Sequence, residues 1–283
     1  MFINKPILGF FMTKITFIGT GEAFDPNRTN TSYLIEDVDG SIMVDCGYDS
    51  TKSLMRYLSK SKKSLVDYPS ALLLTHEHGD HTSGIPALLI SIWEEVNGIV
   101  GNCRMGNKRS LEILSSNPEI LGKIPLDVER YYPSFFSRFE TEGPKISTRK
   151  INPSGDKIYQ FGINSAQTSH SVINFAYRFE TPSGKSFAIS GDGALTNDTR
   201  ELFKDVDFLF HEGFNVLGQE GKNHASVEQV VDYAIGSGIP MVGVVHVNRQ
   251  ERTRISEINH LMEKAKSAGI TLFFPEDHQS IEI

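Results

Sequence analysis

Thr75-His76-Glu77-His78-Gly79-Asp80-His81 sets three histidines and an aspartate within six residues. The stretch follows Ala71-Leu72-Leu73-Leu74, an apolar run beyond Pro69 that reads as a buried strand. It precedes Thr82-Ser83-Gly84-Ile85-Pro86-Ala87-Leu88-Leu89-Ile90, which reads as the start of a helix capped near Thr82 or Ser83. Four candidate ligands therefore share one strand-to-helix turn. Imidazole and carboxylate together suit zinc, iron or manganese, whereas magnesium or calcium would want mostly oxygen. A polar turn that merely happens to be rich in histidine is the bland alternative, and the density of donors argues against it.

The His-x-His-x-Asp-His pattern resembles the signature of the metallo-β-lactamase superfamily of hydrolases. Members need further ligands downstream, in the order His, Asp, His. The chain has nine histidines, at 76, 78, 81, 170, 211, 224, 246, 260 and 278. His170 follows Ser165-Ala166-Gln167-Thr168-Ser169 and precedes a strand-like stretch at 172–177. Asp192 ends the buried run Phe187-Ala188-Ile189-Ser190-Gly191 and His246 ends Met241-Val242-Gly243-Val244-Val245, so the order is met. The resemblance implies an α/β, four-layer αββα sandwich holding two divalent metal ions, zinc foremost with manganese or iron open. It assigns His76, His78 and His170 to one metal, and Asp80, His81 and His246 to the other, with Asp192 bridging. Two close dications need a shared anion to offset their repulsion, which is the physical sense of a bridging carboxylate. Members that reduce oxygen at a di-iron site tend to carry a carboxylate where this chain has His78, so the resemblance implies a hydrolase.

Bulk properties agree with an enzyme. The 283 residues are ample for a sizeable core, and 39% apolar with 22% charged content is globular. Cys46 and Cys103 are the two cysteines, with no Cys-x-x-Cys pair, which argues for a reducing compartment and against a disulfide scaffold. Cys46 reads as a buried thiol near the site. No run approaches a membrane span, and Ile7-Leu8-Gly9-Phe10-Phe11 is short for a signal peptide, so a cytoplasmic protein without membrane attachment is expected. Residues 1–11 read as an N-terminal extension, and residues 12–283 as one hydrolase domain.

Strands are expected at 15–19, 31–36, 41–45, 270–274 and 280–283, and helices at 50–58, 227–236 and 255–268, with Gly269 as a stop signal. Gly19-Thr20-Gly21 after a strand is no dinucleotide loop, because position 24 is Phe. Residues 97–150 read as an irregular insert, rich in Gly, Pro and aromatics. Positions 101–150 hold nine Lys or Arg against six Asp or Glu, a net +3 on a chain whose total is −7. A basic, aromatic insert suits a lid over a small anionic substrate. A homodimer contact or a self-packed solvated loop is the equal alternative.

Further residues resemble the ribonuclease Z and phosphodiesterase branch of the superfamily. They are the run ending Phe210-His211-Glu212-Gly213, the stretch Gly221-Lys222-Asn223-His224-Ala225-Ser226, and His246-Val247-Asn248-Arg249. Gly19-Thr20-Gly21-Glu22-Ala23 and Asp45-Cys46-Gly47 also fit. That resemblance implies His224 as a general acid oriented by Glu212, Asp80 as ligand and proton acceptor, and metal-bound hydroxide as the nucleophile. Arg249 is a candidate phosphate contact, with a structural salt bridge as its other reading. His211 is either behind the site or simply buried, and His260 and His278 are expected to be non-ligands.

The transfer-RNA nucleases usually carry a long Gly/Lys-rich arm between the positions matching His170 and Asp192. Here 21 residues intervene, and the chain is acidic where RNA binding wants phosphate-neutralising cations. The expectation is therefore a phosphodiesterase acting on a small or cyclic phosphodiester. A ribonuclease Z-like RNA 3′-processing endonuclease is the first alternative, kept open by the basic insert. A lactonase or thioesterase is the second; such lactonases often place Tyr where this chain has Leu195, and His224 would have no task. A non-catalytic metal-binding protein is the third, which the intact ligand set disfavours.

Overall fold

The computed structural model describes residues 12–101, 109–218 and 223–283. The expected extension at 1–11, Cys103, and Gly221-Lys222 of the stretch leading to His224 lie outside the described residues. The chain folds into two seven-stranded sheets. The first contains β1 (Lys14–Gly19), β2 (Ser32–Asp37), β3 (Gly40–Val44), β4 (Ala71–Leu74), β5 (Ser110–Ser115) and β6 (Lys145–Lys150) in chain order, with β14 (Ser280–Glu282) added beside β1. The second contains β7 (Asp156–Ile158), β8 (Phe161–Gln167), β9 (Phe175–Glu180), β10 (Ser186–Ile189), β11 (Phe208–Glu212), β12 (Met241–Val245) and β13 (Thr271–Phe273), again in chain order. Strands β3 to β6 run parallel, as do β10 to β13.

Alternation along the strands builds the layers, because successive side chains point to opposite faces. Ile15, Phe17, Ile35, Val44 and Leu73 meet Phe179, Phe187 and Phe210 between the sheets. Their neighbours Ile18, Leu34, Met43, Leu72 and Leu74 point outward. There they pack under α1 (Ser50–Lys60), α3 (Ile85–Val96) and α4 (Pro118–Tyr131). On the second sheet Leu209, Val242 and Val244 face outward, under α7 (Val227–Ser237) and α8 (Ile255–Ser267). Helix α6 (Asn197–Phe203) adds Phe203 to that layer. The outcome is helix, sheet, sheet, helix, the αββα sandwich that the superfamily resemblance implies.

Three local expectations need correction. Within the expected irregular insert, the described residues 110–150 are largely regular, holding β5, α4, α5 (Phe135–Glu142) and β6, and the two strands extend the parallel run beyond β4. The prolines punctuate these elements instead of abolishing them. Pro118 occupies the first turn of α4, where a missing N–H costs nothing, and the Asn117 side chain caps that end by accepting from the Glu119 N–H. The helix after the metal turn starts at Ile85, not at Thr82 or Ser83. Those two residues close a separate one-turn helix, α2 (Gly79–Thr82), and their hydroxyls donate back to His78 and Gly79 carbonyls rather than capping. The strand expected from 172 begins at Phe175 and runs to Glu180, so His170 sits on a loop. Among the described residues no helix is long and apolar enough to cross a membrane.

Phe187 is fully buried between the sheets and stacks on Phe179, with ring centroids 4.6 Å apart and planes 4° off parallel. Phe187→Ala is expected to destabilise the protein by about 3–5 kcal/mol in denaturant unfolding. A loss below about 1 kcal/mol would mean that the two sheets do not meet at this ring.

Candidate active site

The site lies where the carboxyl ends of both parallel runs converge, the usual ligand position in open α/β sheets. The turn after β4 brings His76, His78, Asp80 and His81. The loop after β8 brings His170, the end of β10 brings Asp192, and the end of β12 brings His246. The sheets are tied together there by direct hydrogen bonds. Phe175 N–H donates to the Thr75 carbonyl at 3.1 Å, the Tyr177 hydroxyl to the Leu74 carbonyl at 3.0 Å, and His246 N–H to the Thr20 carbonyl at 3.0 Å. Gly47 is required beneath the turn, since a Cβ would lie 2.0 Å from the Asp80 carbonyl oxygen. Gly191 carries φ +61° immediately before Asp192, a conformation that L side chains rarely adopt.

Two ligand sets form around one shared carboxylate. His76, His78, His170 and Asp192 make the first, and Asp80, His81, Asp192 and His246 the second. In the first, Nδ1 of His78 lies 3.2 Å from His76 Nε2 and 3.1 Å from His170 Nε2. Asp192 Oδ2 lies 3.8 Å from His76 Nε2 and 4.0 Å from His170 Nε2. In the second, His81 Nε2 lies 3.4 Å from both Asp80 Oδ2 and Asp192 Oδ1, and His246 Nε2 lies 3.3 Å from Asp192 Oδ2. Such separations match the edges of a polyhedron whose metal–ligand bonds are roughly 2.0–2.2 Å.

The donor chemistry fits a pair of cations. His81 Nε2 and Asp192 Oδ1 are buried without a hydrogen-bond partner among the described residues, a cost that native interiors rarely carry unless a ligand relieves it. Burial, together with the neighbouring imidazoles, holds His76 well below the ordinary histidine range, so it is a neutral donor. Burial likewise lowers His170. Burial opposes ionisation of Asp192, but His246 and His81 beside it outweigh that and keep it a carboxylate. His81 is held protonated against burial by Asp192 and Asp45, and a cation taking its Nε2 replaces that proton.

Four of the candidate ligands are held from behind. His76 Nδ1 lies 3.0 Å from the Thr75 hydroxyl, which donates to Asp45 Oδ2 at 2.7 Å. His81 Nδ1 donates to the same Asp45 oxygen at 2.8 Å. Asp45 thus orients one imidazole in each ligand set, while Thr75 N–H fixes its Oδ1 at 2.8 Å. His170 Nδ1 donates to the Asn223 carbonyl at 2.7 Å, and His246 Nδ1 faces the Thr31 hydroxyl at 3.3 Å. The sequence reading named Asp45 only within a matching motif and missed this task. The available signal was an acidic residue at the very end of a buried strand, where burial demands a partner. Its φ of +58°, like +54° at His246, places both in the left-handed region that clusters at functional sites.

Glu212 and His224 come together as well. His224 Nδ1 donates to Glu212 Oε1 at 3.1 Å, and Glu212, fully buried, also accepts the N–H groups of Gly193, Phe214 and Ala225 at 2.8–3.0 Å. The His224 ring stacks on Phe214 at 4.6 Å and meets His170 edge-on at 5.0 Å, beside the ligand sets. Burial lowers the His224 pKa, but the Glu212 hydrogen bond and charge more than offset it and raise it overall. His211 points the other way along β11, against Phe203, with Nδ1 donating to the Glu212 carbonyl at 2.7 Å. It is a buried packing residue.

Arg249, read as a candidate phosphate contact, pairs through Nη1 with the buried Glu22 carboxylate at 2.5 Å, which is its salt-bridge reading. The buried Cys46 thiol is pushed up to about 12 by burial and takes no part in either ligand set. His260 is exposed on α8, and His278 Nε2 bonds the Ser53 hydroxyl at 2.8 Å, so both are apart from the cluster.

This architecture with this donor set defines a metal-dependent hydrolase of the metallo-β-lactamase fold. The family described as "Anti-Pycsar protein Apyc1" matches residues 13–94, the stretch from β1 through the metal turn into α3. Among solved structures, the metallo-β-lactamase fold protein YhfI from Bacillus subtilis aligns with a TM-score of 0.73 at 19% identity, over 96% of this chain and 100% of that one. Unliganded yeast PDE1 aligns with a TM-score of 0.71 at 14% identity, over 96% and 100%. The ribonuclease Z of Natronomonas pharaonis is 35% identical over 308 aligned positions, covering 95% of this chain and 97% of the relative. The chain belongs to the ribonuclease Z family of the metallo-β-lactamase superfamily.

Asp45→Asn should weaken divalent-metal retention by about 10–100-fold, the usual cost of losing a carboxylate behind a ligating imidazole. Metal content after dialysis against graded chelator reads this directly. Unchanged retention of both equivalents would show that Asp45 orients neither imidazole.

Proposed function

We propose that this protein hydrolyses a small or cyclic phosphodiester, with zinc as the cation of both ligand sets. The observation that carries the reading is the Glu212–His224 pair beside those sets. Five imidazoles and two carboxylates form a donor set that suits zinc better than magnesium or calcium. Bound cations of this kind polarise phosphoryl oxygens and lower the pKa of water they coordinate.

The chain's own residues supply the proton traffic. Cleavage of a P–O bond expels an alkoxide, which leaves readily only if it is protonated as it departs. His224 commits Nδ1 to Glu212 and so keeps Nε2 for that donation. The buried Glu212 carboxylate favours the imidazolium form. Asp80, held ionised despite burial by the neighbouring His81, accepts the proton released by the attacking water. Thioester cleavage, whose thiolate departs readily without a proton, would leave the Glu212–His224 pair without a task.

The segment that separates His170 from Asp192 supports a small substrate. That interval holds only a short loop, β9, the turn to β10 and β10 itself, so nothing extends from it to grip a large RNA. The chain's charge of −7 points the same way. Family membership favours RNA 3′-processing as the second reading, and a transfer-RNA precursor assayed in parallel separates the two. The reducing-compartment cysteine pattern supports a cytoplasmic location.

His224→Ala is expected to slow a diester with an alkyl leaving group by about 10²–10⁴-fold. The loss should be far smaller with p-nitrophenolate, which departs without a proton. Equal losses on both substrates would remove the general-acid role, and efficient cleavage of a lactone or thioester without diesterase activity would remove the phosphodiester reading.

A further inference from the structure

Residues 20–31, which join β1 to β2, lie against His246. The Thr20 carbonyl accepts the His246 N–H at 3.0 Å and Arg252 Nη2 at 3.1 Å. At the other end of the loop, the Gly21 carbonyl accepts the Thr31 N–H at 3.0 Å and the Thr31 hydroxyl at 2.9 Å. That hydroxyl has one proton and gives it to Gly21. Toward His246 Nδ1, 3.3 Å away, it can therefore only accept. His246 Nδ1 then carries the ring proton, and Nε2 keeps its lone pair facing Asp192 Oδ2. The place of one loop hydroxyl thus sets the tautomer that the second ligand set needs.

The shape of this loop depends on a carboxylate from the far end of the chain. Asp277, between β13 and β14, accepts on Oδ1 the Thr20 N–H at 3.0 Å and the Thr20 hydroxyl at 2.9 Å. Its Oδ2 accepts the Thr29 N–H at 2.7 Å, so both ends of the loop close on one side chain. Thr20 and Thr29 are buried, and losing Asp277 would strand their donors. Arg28 also bonds the Thr20 hydroxyl, at 2.9 Å, but its other partner Glu276 is exposed and holds it weakly. We infer that Asp277 is a positioning residue for the second ligand set. By bracing residues 20–31 it holds His246 in the orientation and tautomer that ligate a cation. Its effect is selective, because His76 and His170 of the first set are steadied instead by Thr75 and the Asn223 carbonyl. The inference rests on the second set taking a cation and is independent of the substrate.

The test titrates zinc retained by the full chain against graded chelator. Asp277→Ala should release one of two equivalents about ten-fold more readily and leave the other in place. Thr31→Val, which removes the hydroxyl and keeps the shape, should weaken the same equivalent. Asp277→Asn keeps an acceptor for Thr20 but sets an amide against the Thr29 N–H, and should fall between Asp277→Ala and the wild type. These two variants carry the test if Asp277→Ala does not fold. In a His246→Ala chain the remaining equivalent belongs to the first set, so adding Asp277→Ala should change its retention no further. Leu261→Ala loosens α8 away from the loop, and this general destabilisation should not single out one equivalent. Equal weakening of both equivalents by Asp277→Ala, a further loss in the His246→Ala chain, or the same selective loss in Leu261→Ala would overturn the positioning role. A wild-type chain that retains a single equivalent would remove the two-cation reading itself, and the inference with it.

Discussion

One buried carboxylate organises this molecule. Asp192 comes from the second sheet and must reach imidazoles carried by the first, so the two sheets are required to pack with their carboxyl ends aligned. Much of the surrounding architecture serves that meeting. Asn174 donates to the Thr168 hydroxyl and to the Ser190 and Asp192 carbonyls, clamping the loop after β10. Gly191 supplies the turn and Gly47 the clearance under Asp80. Crowding five imidazoles and two carboxylates into a dry space is costly unless cations complete it, which ties the stability of this end of the sandwich to metal.

The outer ring of contacts is economical. Asp45, at the end of β3, fixes one imidazole in each ligand set, directly at His81 and through Thr75 at His76. Glu212, at the end of β11, collects three backbone N–H groups and the His224 imidazole. Glu212 is the last residue of its buried strand and Asp45 the first beyond its own, the position where rigid backbone ends and chemistry begins.

Both candidate ligand sets were legible in the chain because the strand-to-helix turn compresses four of the residues into His76–His81, Asp192 and His246 end apolar runs, and the order His, Asp, His after the turn resembles that of the superfamily. Where sequence reading failed, the failures share a cause. Proline and glycine mark boundaries, and in residues 97–150 the boundaries are so frequent that the elements between them were hidden. Asn117 and Pro118 are helix-start signals for α4, masked by Pro125 inside the same helix. For Arg249 a phosphate contact and a structural salt bridge stood equally open, because only its distance from His246 was visible. Its partner Glu22 lies 227 positions away.

Through its resemblance to the superfamily, the amino-acid sequence by itself determined the fold class, the seven candidate ligands that cluster here and the expectation that Glu212 meets His224. Local spacing and the chemistry of imidazole and carboxylate mark the turn at His76–His81, and the motifs that carry the resemblance supply the rest, all of them written along the chain. Tertiary structure alone decided that Asp45 serves both ligand sets, that Arg249 answers to Glu22, and that His211 turns away from the site. Those facts concern which distant side chains meet across two sheets. Packing geometry in three dimensions, which no local pattern encodes, settles them.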